Sequence, residues 1–139
     1  MIGQLLIGLA LLATTVVIHG AGLMFLSRWR RTEEYDPNSV SPTDLLDLGN
    51  ALITVMALFA LHGAEIWLYA AFYSIADVMP DFYDALYFST MTYSTLGFDD
   101  AGLDYQWRLI AAIESINGLL LVGWSTAYFV GVVGAKRRR

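Results

Sequence analysis

The 139-residue chain has no cysteine, which excludes disulfides, thiolate metal sites and cysteine nucleophiles and leaves the redox compartment unread. Histidine occurs twice, as His19 and His62, so few side chains are available for metal chemistry. Basic residues number eight and are confined to a few places: Arg28, Arg30 and Arg31, then Arg108, then Lys136 to Arg139. None lies between Asp77 and Tyr105, and no series of arginines crosses an apolar run, so the pattern of a voltage sensor is missing. Proline occurs three times, as Pro37 in a polar linker, Pro42 at a helix start and Pro80 at a second helix start. There is no internal repeat, low-complexity tract or ligand-binding domain.

What fills the chain instead is apolar: 57% of residues are hydrophobic and the mean hydropathy is +0.54, too high for an ordinary soluble domain of this size. Three stretches reach the roughly 20 residues that a membrane-spanning helix needs: 2–26, 48–75 and 109–134. A shorter segment, 82–96, is too rich in hydroxyls to span and suits a re-entrant element. The first stretch lacks the basic n-region of a signal peptide and its arginines follow it, so it reads as a retained helix.

The basic clusters set an expected topology. The loop after the first helix and the C-terminus are cytoplasmic under the positive-inside rule, which for three spans puts the N-terminus outside. The exterior segment then carries Asp77, Asp81, Asp84, Asp99, Asp100 and Asp104. Such residues can simply keep a loop hydrated; multiplied around an axis they form a negative funnel that concentrates cations. Ser41, Pro42 and Asp44 mark the start of the second helix as N-cap, first position and capping-box acid. Trp67, Tyr69, Phe72, Tyr73, Tyr105 and Trp107 fit an aromatic belt, or plain packing.

The short segment opens at Pro80 and Asp81, continues for about two turns through Thr92, and leads into Thr92-Tyr93-Ser94-Thr95-Leu96-Gly97-Phe98-Asp99-Asp100. Here the sequence resembles the potassium-channel pore domain, whose loop reads T-x-x-T-V-G-Y-G-D after a short pore helix bearing paired aromatics and a serine. Thr92, Thr95, Gly97 and Asp100 match, Leu96 and Phe98 are conservative replacements, and Ala85, Leu86 and Ser89 fit the pore helix. The resemblance covers about 82–130 and leaves out the first helix.

It implies an all-α membrane protein of three transmembrane helices plus a re-entrant pore helix and selectivity-filter loop, assembled as a tetramer. The expected segments are an N-terminal helix 1–27, a linker 28–47, a pore domain 48–134 and a basic tail 135–139. Within the pore domain the outer helix is 48–76, the pore helix 82–92, the filter 95–100 and the inner helix 107–134. Backbone carbonyls of an extended strand can replace the hydration shell of a cation, so Thr95, Leu96, Gly97, Phe98 and Asp99 become the ion-conducting filter. A monovalent cation is expected at Thr95 to Phe98, with potassium in the filter, sodium or calcium as alternatives, and no organic cofactor. Thr92, Asp100, Tyr87, Phe88 and Glu114 become filter supports, and Gly118 a gating hinge, although glycine also serves close packing. Leu119, Val122, Thr126 and Val130 share a face suited to line a cavity. The implied partners are three further copies of the chain and membrane lipid, with no nucleic acid.

Two features depart from the family pattern. Asp99 replaces the second filter glycine, at a cost of roughly 1–2 kcal/mol if that position is left-handed, and would place a carboxylate ring at the outer mouth. Phe98 lacks the hydroxyl of the family's tyrosine. These leave a non-selective or divalent-permeable channel open as the alternative. His19, His62, Glu65, Glu114 and Asn117 lie within spans, where polar side chains need partners. The His62–Glu65 spacing also occurs in helical-bundle metal sites, giving an intramembrane metal-dependent enzyme as one rival and a non-conducting scaffold as another. The topology is checked by single cysteines: position 77 should label from outside and position 33 only from inside, and the reverse pattern overturns the orientation.

Overall fold

The computed structural model describes residues 2–33, 43–97 and 103–136. Among them no strand occurs; the chain forms α1 (Ile2–Glu33), α2 (Thr43–Ile75), α3 (Phe82–Tyr93) and α4 (Arg108–Lys136). Helices α1, α2 and α4 are long and apolar enough to cross a membrane, with the spanning parts at Ile2–Trp29, Leu48–Ile75 and Arg108–Val132. α3 has 12 residues and does not reach across. The protein is a multi-pass, all-α membrane protein of three spans and one short helix, as the sequence predicts.

α3 and α4 end within two residues of the expected bounds, and the clear difference is at the end of α1. α1 runs to Glu33, past the expected end at residue 27, because 28–33 contain neither glycine nor proline and arginine is a good helix former. α2 begins at Thr43; the expected capping residues Ser41 and Pro42 lie outside the described residues.

The end of α2 is built by Asp77, whose φ of 56° places it in the left-handed region. Its N–H donates to the Ser74 carbonyl at 3.2 Å, and the Val78 N–H donates to the Tyr73 carbonyl at 3.0 Å. That pair of bonds is a Schellman ending, and it turns the chain back toward α3. α3 starts four residues later on Asp81, whose Oδ1 accepts from the Tyr83 N–H at 2.8 Å and the Asp84 N–H at 3.2 Å. An N-cap of this kind is worth about 1 kcal/mol, a large share for so short a helix.

The buried residues of α3 are Ala85, Phe88, Ser89, Thr92 and Tyr93, so one helical stripe faces the bundle. It packs into a core made of Tyr69, Ala70 and Tyr73 from α2, and Leu103, Ile110 and Ala111 from and before α4. The Tyr73 and Phe88 rings meet edge to face at 5.3 Å. α1 lies against α2 and α4, where Leu23 and Leu26 meet Leu58 in a second cluster. Gly8 and Gly22 make room on α1 for Ile113 and Leu61.

α4 and the end of α3 approach each other closely at Gly118. A Cβ added at Gly118 would sit 2.1 Å from the Tyr93 carbonyl oxygen and 2.9 Å from its carbon. Backbone cannot swing aside as a side chain can, so the glycine is a packing requirement. Gly118→Ala should destabilise the protein by about 1–3 kcal/mol or more, the usual range for overpacking. Gly123→Ala, with open space around the added carbon, should be neutral. Thermal unfolding of both variants in detergent checks the contrast.

A candidate pore loop and its buried supports

α3 ends at Ser94, whose N–H donates to the Thr90 carbonyl at 3.1 Å and whose hydroxyl donates to the same oxygen at 2.6 Å. The Thr95 N–H donates to the Thr92 carbonyl at 3.1 Å, closing one tight turn. Beyond it the backbone alternates in handedness. Thr95 has φ 57° and Gly97 φ 94°, while Leu96 between them keeps the ordinary sign. A β-branched threonine in the left-handed region is unusual and is held only where the surroundings impose it. Thr95, Leu96 and Gly97 are exposed on the single chain. Phe98, Asp99 and Asp100 lie outside the described residues.

The expected supports occupy different positions. Phe88 and Thr92 are buried on the inner stripe of α3, whereas Tyr87 points away from the bundle and is 62% exposed. Glu114 is fully buried behind α3. Ser89 donates its hydroxyl to Glu114 Oε1 at 2.5 Å, and Tyr73 donates to Oε2 at 2.6 Å, so both carboxyl oxygens are taken. The Ser89 hydroxyl is also 3.0 Å from the Ile66 carbonyl. One acid on α4 thereby ties α2 to the middle of α3. Gly118 stands one turn further along α4, against the main chain of Tyr93. Leu119, Val122, Thr126 and Val130 are exposed along α4.

A second polar cluster joins all four helices at the C-terminal end of α3. His19 Nδ1 of α1 is 2.8 Å from Glu65 Oε1 of α2, and the Tyr93 hydroxyl of α3 donates to Glu65 Oε2. The same hydroxyl lies 2.9 Å from His62 Nδ1, and His62 Nε2 lies 3.0 Å from Ser125 Oγ of α4. Ser125 Oγ is in turn 3.2 Å from His19 Nε2, which completes a ring. A third contact runs from Asn117 of α4 to the Thr15 hydroxyl at 2.7 Å and the Tyr69 hydroxyl at 3.2 Å.

Sequence reasoning placed His62 and Glu65 on one face, and the structure has them 3.2 Å apart. It did not find Tyr93 and Ser125, which look like ordinary pore-helix and inner-helix residues until α1 brings His19 beside them. The available signal was the cost of an unpaired polar group in a span, which says that partners exist without saying which. His19, His62 and Glu65 do converge, but their nitrogens and oxygens are hydrogen-bonded to one another, to Tyr93 and to Ser125.

Among the described residues, three spans, a short helix that stops short of crossing, and a turn of alternating handedness at its end describe a multi-pass membrane protein with one non-spanning helix. The family model described as "Ion channel" matches residues 52–134, most of α2 and all of α3, the loop and nearly all of α4, and the chain belongs to that family. Comparison with curated proteins and with solved structures gave no match. α1 lies outside the matched residues.

The clamp on Glu114 makes a direct test. Tyr73→Phe removes the donor to Oε2 and leaves a buried carboxyl oxygen unpaired, which should lower stability by about 1–3 kcal/mol. Tyr87→Phe, on the exposed side of α3, should change monomer stability little. Unfolding midpoints of the two variants give the comparison.

Proposed function

We propose that four copies of this chain close around an axis to form a cation channel of the potassium-channel pore type, with α3 as pore helix and α4 as inner helix. The observation that carries the reading is the alternation of handedness over Thr95 to Gly97, exposed at the C-terminal end of α3. Alternating signs of φ turn successive carbonyls to the same side of an extended strand, the arrangement a dehydrated cation requires. The helix end adds a partial negative charge facing the same region. One chain supplies one strand, so the ring needs further subunits, and the resemblance to potassium channels makes their number four.

In this reading potassium occupies sites made by Thr95, Leu96, Gly97 and Phe98, with Asp99 at the outer mouth. Thr92, Phe88, Tyr87, Asp100 and Glu114 support the filter, Tyr87 from a subunit boundary and Glu114 from behind. The exposed face of Leu119, Val122, Thr126 and Val130 lines the cavity. Gly118 acts as hinge, and because it abuts Tyr93, bending there also moves the base of the pore helix. The channel sits in a plasma membrane, of the bacterial inner-membrane type, with the N-terminus outside and the C-terminus cytoplasmic. Exposed acids at Asp77, Asp81, Asp84 and Asp104 then gather cations at the outer entrance. A specific residue favours a second reading, a non-selective or divalent-permeable channel: Asp99 in place of the filter glycine.

Reconstituted protein should carry cation current in planar bilayers and run as a tetramer in native mass spectrometry. Asp99→Gly removes both the carboxylate ring and the side chain that resists the left-handed region. It should sharpen potassium over sodium and reduce block by external divalents. Asp99→Asn should reduce divalent block alone. Identical reversal potentials and calcium sensitivity in all three proteins would take Asp99 off the conduction path; absence of current with a stable monomer or dimer would remove the channel reading itself.

A further inference from the structure

The ring of His19, Glu65, Tyr93, His62 and Ser125 contains five hydrogen bonds, each of which needs one proton between its two atoms. The side chains supply too few. Tyr93 and Ser125 bring one each, two neutral imidazoles bring one each, and an ionised Glu65 brings none, which makes four. Following the bonds shows where the shortage falls. An ionised Glu65 accepts from both neighbours, the Tyr93 hydroxyl and His19 Nδ1. Having donated to Glu65, Tyr93 must accept from His62 Nδ1. That same Nδ1 also lies 3.2 Å from Glu65 Oε2, which calls on no further proton. Each neutral imidazole then presents a bare Nε2 to Ser125, at 3.0 Å and 3.2 Å, and one hydroxyl proton cannot serve both.

We propose that the ring is a proton-binding site, holding a fifth proton either as a histidinium paired with Glu65 or as the carboxylic acid of Glu65. Either form closes all five bonds and makes the ring electrically neutral. Charge leads to the same answer independently of the bond count. With four protons the ring would put a carboxylate of 0% exposure inside a membrane bundle without a counter-charge. A sixth proton is disfavoured in turn, because the two imidazole centroids are 5.2 Å apart and share one acid.

Among the described residues, the groups around the ring offer no other positive charge beside it. α1 has no charged residue between Ile2 and Ser27. On α2 the nearest titratable groups are Tyr69, bonded to Asn117, and Tyr73, bonded to Glu114. α3 carries Asp84 at its far end, and α4 carries Glu114, held by Tyr73 and Ser89. The indole of Trp124 against His19, at 5.4 Å between centroids, is neutral.

The proton matters because of what it joins. Removing it by raising the pH leaves two acceptors facing each other at one of the bonds, and the longest is Ser125 to His19, between α4 and α1. The site is therefore a proton-dependent seam between the first helix and the ion-channel domain, and it rests on the ring alone, whether or not the chain conducts.

Glu65→Gln discriminates, because a side-chain amide accepts from Tyr93 with its oxygen and donates to His19 with its own nitrogen. The variant closes the ring with two neutral histidines and no added proton. Full-length protein labelled with 15N-histidine in lipid bilayers near neutral pH supplies the count. The expected result in the wild type is one histidine protonated on both nitrogens, or an infrared carboxylic-acid band that Glu65→Gln abolishes. Raising the pH further should lower the unfolding temperature of the wild type more than that of Glu65→Gln. Two singly protonated histidines beside an ionised Glu65 would overturn the proposal, and so would an equal pH dependence in both proteins. The wild-type spectrum decides the matter even where the variant folds poorly.

Discussion

Inside a bilayer no water is available to a stranded polar group, and the structure depends on how that constraint is met. Three polar side chains inside the spans are placed where two other helices meet them. Glu65 receives α1 and α3, Glu114 receives α2 and α3, and Asn117 receives α1 and α2. Such contacts in membranes are individually modest, about 0.6–2 kcal/mol, because the separated helices also find partners. Their larger effect is geometric. An apolar face can slide or rotate against lipid or against another apolar face at little cost, whereas a hydrogen bond of 2.5–3.2 Å allows one register.

The short helix α3 shows why register matters. Twelve residues are too few to be stable alone, so its position has to be imposed from outside. Asp81 caps its start, Ser89 is held on Glu114 near its middle, and Tyr93 is held on Glu65 and His62 at its end. Gly118 allows α4 to press on the Tyr93 backbone where a larger residue would force it away. The left-handed Thr95 follows two residues later, so the strained turn grows from the most firmly anchored point of the helix.

Much of this was legible before the fold was known, and the limits have physical causes. Hydropathy marks the spans because a bilayer demands uninterrupted apolar length, and Pro80 and Asp81 were readable as a helix start because start signals are local. The depth of Glu114 behind the pore helix could be estimated by counting turns. Its partners Ser89 and Tyr73 could not be assigned, since pairing depends on the rotation of three helices about their axes. Asp77 looked like one more acid in a wet loop; its left-handed backbone follows from the Schellman bonds, which no composition reveals. His19 was the hardest case, because the resemblance that organised the other helices did not extend to α1.

That omission bears on what the first helix is. The family match begins at residue 52, yet several polar contacts of the matched domain are completed from outside it. Asn117 donates to Thr15, and Ser125 and Glu65 both reach His19. A pore domain without α1 would leave Glu65 with one partner fewer at the point where Tyr93 and the loop are anchored, and a buried acid cannot recover the lost bond from lipid. Gly8 and Gly22, with Ile113 and Leu61 set against them, show that the apolar surfaces are shaped to match as well. α1 is therefore part of the unit that positions the end of α3 and the left-handed turn after it, coupled to them through one buried ring of hydrogen bonds.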